Sequence, residues 1–213
     1  MNGSFQNDSK KGRGINGHFQ TEISKDEVNQ LDIKAYTGKI TVVEDSAAVN
    51  DCIKQIRKSS IIGFDTESRP SFKKNQNFGV SLIQIATENE VFLFRINLTG
   101  FQQSIIKLFE NPSILKVGVS IHDDIARLKQ LKNFNAKGFI ELQQLTDEYG
   151  IHCNSLKKLT AIVLGFRVSK AQQLSNWEAT KLSDAQARYA STDAWVGLEI
   201  YNKLLTVEAN GTV

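Results

Sequence analysis

Ile61-Ile62-Gly63-Phe64-Asp65-Thr66-Glu67 decides how this chain is read. A short apolar run rich in β-branched and aromatic residues indicates a strand buried in a sheet. Residues two apart on a strand point to the same face, so Asp65 and Glu67 stand side by side. Two adjacent carboxylates in such a place repel each other and cost desolvation energy. A divalent cation compensates for both, because hard oxygen ligands suit Mg²⁺ or Mn²⁺. Taken alone, Asp-Thr-Glu also fits a strand end whose carboxylates reach water and cap nearby loops. For so short a motif that is the commoner case.

Around this strand the sequence alternates strand-like and helix-like segments. Ile40 to Val43 reads as a strand. Asp45 or Ser46 caps a helix to about Lys58, with Ala48, Cys52, Ile53 and Ile56 on its buried face. Val80 to Ala86 and Val91 to Arg95 form a hairpin turned at Glu88-Asn89. Thr99 caps a helix from Phe101 to Glu110, stopped by Asn111-Pro112. Ile114 to Val119 is a strand, followed by a helix from His122 to Leu131 with Ile125, Leu128 and Leu131 inward. Leu142 to Tyr149 and Ser155 to Leu164 are helices ended by Gly150 and Gly165. A capping box, Ser183 with Gln186, starts a last helix that runs to about Leu205. A hairpin cannot belong to a wholly parallel sheet, so the pattern predicts an α/β domain with a mixed sheet.

The bulk numbers set limits. The 213 residues suffice for one domain with a real core. With 40% hydrophobic and 23% charged residues the balance is that of an ordinary globular chain. A net charge of +3 is compatible with a nucleic-acid partner without arguing for one. The 2 cysteines, Cys52 and Cys153, are too few for a disulfide framework and read as reduced thiols. No apolar run has transmembrane length and the polar N-terminus is no signal peptide, so no membrane role and an intracellular setting are expected. Residues 1–20, glycine-containing and poor in apolar groups, read as a disordered tail, with Lys10, Lys11 and Arg13 solvated.

Two further sets of residues carry chemistry. Tyr189 and Asp193 are four apart in the last helix and share a face. Ala185, Ala190, Ala194 and Gly197 are small enough to let that helix approach the sheet. Asp124 lies in the first turn of a helix that directly follows a strand, where the helix dipole favours a carboxylate. Asp123 beside it leaves the position open by one residue.

In this order, Asp-x-Glu on a strand, Asp at a strand–helix junction and Tyr-x-x-x-Asp on a late helix, the chain resembles the DEDD superfamily of 3′–5′ exonucleases. It is most similar to the tyrosine branch, with the Werner-type exonuclease domains and ribonuclease D. The stretches that carry the resemblance are Gly63 to Glu67, Ser81 to Ala86, Lys116 to Asp124, Leu174 to Trp177 and Tyr189 to Ala194. It covers roughly residues 37–205. In the family the second-motif Asp ends the Lys-Val-Gly stretch, which selects Asp124. The branch with His five residues before the last Asp is excluded, because none of His18, His122 or His152 has an Asp at that spacing.

The resemblance implies a ribonuclease H-like mixed central sheet flanked by helices, in an exonuclease domain over residues 21–213. It implies two divalent cations, Mg²⁺ or Mn²⁺, held by Asp65, Glu67, Asp124 and Asp193, with Tyr189 aligning the attacking water. The substrate would be the 3′ end of a nucleic acid, single-stranded or recessed, and the products nucleoside 5′-monophosphates. Substrate contacts are expected from Lys170 on phosphate, from Leu82 and Phe72 as a wedge against the terminal base, and from Trp177 by stacking on a strand, although a strand leucine is usually core and Trp177 fits core or loop packing better than stacking. The alternative from another class is a non-catalytic nucleic-acid-binding domain of the same fold.

Overall fold

The structure is a computed structural model that describes residues 19–71 and 78–211, with side chains to Val207. The elements in chain order are α1 (Lys25–Gln30), β1 (Lys39–Val43), α2 (Val49–Ile56), β2 (Ile61–Ser68), β3 (Val80–Ala86), β4 (Glu90–Phe94), α3 (Ile96–Thr99), α4 (Gln103–Phe109), β5 (Leu115–Gly118), α5 (Ile121–Leu131), β6 (Phe139–Glu141), α6 (Leu142–Glu148), α7 (Leu156–Leu164) and α8 (Asp184–Gly211). The strands form one mixed sheet in the order β1-β4-β3-β2-β5-β6. The hairpin β3–β4 and the pair β2–β3 are antiparallel, and β1–β4, β2–β5 and β5–β6 are parallel.

Strand periodicity divides the core into two layers. Ile62 and Phe64 of β2, with Ile83, Ile85, Phe92 and Phe94, pack against α2, α4 and α5. Leu82, Ala86, Val91, Leu93 and Val117 pack against α6, α7 and α8 on the opposite face. Asp65 and Glu67 alternate with Phe64 and therefore belong to the face that α8 covers.

How closely α8 covers it is set at Gly63. A Cβ built there would overlap the carbonyl oxygen of Ala194 in α8, and one at Gly118 would overlap the carbonyl oxygen of Phe64. Ala190, Ala194 and Gly197 are buried at the contact, while Ala185 lies exposed a turn earlier. The capping box expected at the start of α8 is present: Gln186 N–H donates to the Ser183 hydroxyl at 3.2 Å and Ser183 N–H donates to Gln186 Oε1 at 3.0 Å.

Several local expectations need correction. Thr99 caps nothing; it ends the short α3, with its hydroxyl on the Arg95 carbonyl, and Gln102 stands at the N-terminus of α4. Leu131 is 46% exposed, because α5 ends there and only Ile121, Asp124 and Leu128 are fully covered. Asp45 caps a short 3-10 turn, Ser46–Ala48, that leads into α2. The expected tail lies outside the described residues up to residue 18, but Phe19 packs edge-on against Tyr149. Helix α1 and strand β6 were not anticipated. The first carries a legible signal, a Ser24–Glu27 capping box; the second has three residues, too few for a periodicity.

Gly63→Ala is expected to destabilise the fold by roughly 3 kcal/mol, because backbone rather than a flexible side chain must give way. Gly197→Ala, whose Cβ would meet its nearest neighbour at an ordinary 3.5 Å, is expected to stabilise by up to about 1 kcal/mol through helix propensity. Urea unfolding of the two variants measures both signs.

Candidate active site

The carboxylates gather where β2 passes under α8. Asp65 and Glu67 come from one face of the strand and Asp193 from the helix above it. One oxygen from each lies within 4.8 Å of the others. Asp193 is only 9% exposed. Asp124 enters from the other face of the sheet, in the first turn of α5, and Thr66 Oγ1 donates to its Oδ1 at 2.6 Å. Asp124 is buried and Asp123 exposed, so burial selects Asp124 as the inward residue. Residue Thr66, between Asp65 and Glu67, thus ties the fourth carboxylate to the strand that carries the first two.

Crowding and burial hold all four in the protonated direction. Desolvation, then Asp124, Asp193 and Glu67, push Asp65 well above the usual range. Burial followed by Asp193 and Asp124 lifts Glu67 to about 9. Asp124 and Asp193 both rise to about 7, mainly from burial; the Thr66 contact limits the first and the Tyr189 contact the second. An all-oxygen donor set with this surplus of negative charge fits a hard divalent cation. Nothing else described in the cluster neutralises it: Arg127 acts on Glu67 and Asp124, and Lys170 on Asp193, without forming an ion pair among the described residues.

Tyr189 stands one turn before Asp193 and half-buried. Burial and the surrounding acids raise its hydroxyl well above the ordinary value, so it remains a hydrogen-bond donor at neutral pH. A cavity of about 290 Å³ joins Asp65, Glu67, Tyr189 and Asp193 to Lys170, Gln173 and the 154–157 segment. Its rim includes Ser120, the one described non-glycine residue in the left-handed region, with φ 61°. Glu141 accepts from the backbone N–H groups of Ser120 and Ile121 and so holds the turn that aims α5. A larger cavity, about 750 Å³, lies around Ser59–Ile61 and Thr87–Glu90 and shares no residue with the cluster.

The expected substrate contacts divide. Lys170 is exposed at the cavity. Leu82 and Trp177 are 0% exposed, closed into the core beneath α8, and offer no face to a nucleotide; both are corrected to packing residues. Phe72 lies outside the described residues. Gln84 escaped the sequence reading: it stands directly opposite Asp65 in the β2–β3 ladder, fully buried, with neither amide atom hydrogen-bonded. Arg127, three residues after Asp124 on the same helix, was also missed, although that spacing on a helix is legible.

A family model described as 3′-5′ exonuclease matches residues 40–207. The chain belongs to the 3′–5′ exonuclease family. It is 36% identical over 163 residues to the bifunctional 3′-5′ exonuclease/ATP-dependent helicase WRN of Mus musculus, an alignment covering 72% of this chain and 11% of that protein. Against the putative 3′-5′ exonuclease R431 of Acanthamoeba polyphaga mimivirus it is 30% identical over 169 residues, covering 72% of this chain and 42% of that one. The chain therefore spans less than half the length of either relative. Among solved structures, the Nibbler EXO domain of Aedes aegypti superposes with a TM-score of 0.75 at 22% identity, covering 84% of this chain and 94% of that domain. RNase D of Escherichia coli gives 0.72 at 20% identity, covering 81% and 46%. At these identities the solved structures speak to the fold, a ribonuclease H-like exonuclease domain with a mixed sheet. Among the described residues no helix is long and apolar enough to cross a membrane.

A carboxylate whose pKa is raised in the folded state favours folding only while it is protonated in both states. That contribution is complete below the unfolded values near 4 and is lost as pH rises through folded values of about 7 to about 9. In EDTA the melting temperature is therefore expected to fall between pH 5 and pH 9. Millimolar Mn²⁺ should restore it more at pH 8 than at pH 5. A thermal-shift matrix of pH against metal reads the result.

Proposed function

We propose that the chain hydrolyses nucleic-acid phosphodiester bonds from the 3′ end and releases nucleoside 5′-monophosphates, using two divalent cations, Mg²⁺ or Mn²⁺. The observation that carries this reading is the convergence of Asp65, Glu67 and Asp193 within 4.8 Å beside Tyr189, with Asp124 held behind them. Asp65, Glu67 and Asp193 would hold one cation. Asp65, at the centre of the mutually repelling set, would be shared with the second, and Asp124 would take part from the α5 side. When bound, the cations supply Lewis acidity for activating water and for stabilising the departing 3′ oxygen.

The chain's own residues do the rest. Tyr189, protonated at neutral pH, holds a water through its hydroxyl and orients it, a positioning role. Lys170, whose charge acts on Asp193, meets phosphate at the cavity mouth. The water oxygen forms the new bond to phosphorus and the bond from phosphorus to the 3′ oxygen breaks. The retained strand ends on a 3′-hydroxyl. RNase D of Trypanosoma brucei, solved in complex with RNA U12, supports a nucleic acid as the ligand of this fold. We place the exonuclease domain over residues 21–213 and an N-terminal tail before it.

Digestion of 5′-labelled single-stranded DNA, recessed duplex DNA and RNA, each with Mg²⁺ and with Mn²⁺, tests the reading. The expected product is a ladder shortened one nucleotide at a time from the 3′ end. Asp65→Ala and Asp193→Ala are expected to abolish it while the circular dichroism spectrum is kept. Tyr189→Phe should lower kcat by about 10²-fold or more with little change in KM. Binding without cleavage by the wild type would instead indicate the non-catalytic alternative.

A further inference from the structure

A further cavity of about 440 Å³ abuts the carboxylate cluster and is not used by the chemistry above. It shares Thr66, Glu67 and Gln173 with the first cavity, then extends along the end of β2 past Arg69 to Phe78, Arg127 and Leu174. Among the described residues its cations are Arg69 and Arg127, both guanidiniums. Arg127, on the exposed side of α5, forms no hydrogen bond or ion pair among the described residues, yet its charge is felt by Glu67 and Asp124. It stands near a large negative charge without bridging to it. Arg69 stacks on the Phe78 ring, 4.7 Å from its centroid, and among the described residues its guanidinium makes one long polar contact, 3.4 Å, to Glu178.

We propose that this cavity is the subsite for the retained strand, in which Arg127 and Arg69 hold the phosphodiesters immediately 5′ of the bond being cut. The proposal rests on the reading of the carboxylate cluster as a nuclease site. If the scissile phosphate sits at the cations, it lies at the wall common to the two cavities, and the nucleic acid must continue into both. The smaller cavity, which holds Tyr189 and Lys170, has room for a terminal unit. The larger one opens toward the surface at Leu174 and carries forked donors suited to phosphate oxygens. A retained strand brings further phosphates there, and each needs a counter-charge. The stacked Phe78–Arg69 pair offers a flat surface for a base without selecting which base. Contacts of this kind read the backbone, so they act alike on DNA and RNA.

The test compares a substrate that has a retained strand with one that lacks it. On the p-nitrophenyl ester of a nucleoside 5′-monophosphate the departing group is a phenol, and no second nucleotide exists. Arg127→Gln is expected to lower kcat/KM on a single-stranded oligonucleotide about tenfold more than on this ester, with Arg69→Gln acting in the same direction. Arg127→Lys should recover part of the loss. In an Asp193→Asn background, fluorescence anisotropy of a labelled oligonucleotide should weaken on Arg127→Gln, and the slope of log affinity against log salt should shrink by about one. Equal losses on the two substrates, or an unchanged salt slope, would overturn the subsite. Failure of the wild type to cleave either substrate would overturn the nuclease reading instead, and the salt slope would still decide whether Arg127 meets phosphate.

Discussion

The contact of the α8 backbone with Gly63 is the constraint on which the site depends. A helix packed on a sheet through ordinary side chains stands well off the strand, whereas here Ala194 lies against a residue with no Cβ. The neighbouring residue, Asp193, is thereby brought down beside Asp65, two residues along β2 from Gly63. The close approach is thus the cause of the carboxylate cluster. Ala190 and Gly197 extend the smooth face on either side, and Gly118 makes the same kind of allowance where β5 meets β2.

The electrostatic cost of that geometry is large. Three carboxylate oxygens within 4.8 Å of one another, largely removed from water, cannot all remain ionised without a counter-charge, and the upward pKa shifts express this. Among the described residues the cluster is met by hydrogen bonds and distant cations rather than paired ones. Thr66 holds Asp124, Tyr189 faces Asp193, and Arg127 and Lys170 stop short of forming ion pairs. An arrangement that leaves its charge unneutralised suits a mobile cation and, through it, a phosphate.

Much of this was legible in the sequence, for identifiable reasons. The strand Ile61–Glu67 was readable because a buried apolar run stops abruptly at two acids on one face. The small residues Ala190, Ala194 and Gly197 forecast a close helix, although Ala185 before them proved exposed. The family pattern chose Asp124 over Asp123, and burial agrees. Tertiary placement was not legible. Leu82 and Trp177 stand next to motif residues in the chain, but the same close helix that builds the site seals both beneath it. Thr99 had the chemistry of a cap but sits at the end of a helix rather than its start. Gln84 and Arg127 carry no motif and acquire meaning only from what faces them: one from cross-strand register, the other from a cavity formed by three separate segments.

If these acids hold a cation, Asp65, Glu67 and Asp193 surround it, with Asp124 behind them. Crystals grown with Mn²⁺ and measured above the manganese absorption edge test this arrangement most directly. The predicted result is an anomalous peak bracketed by the carboxylate oxygens of Asp65, Glu67 and Asp193. A map with no peak there at saturating Mn²⁺, or carboxylates turned away from one another, would contradict it.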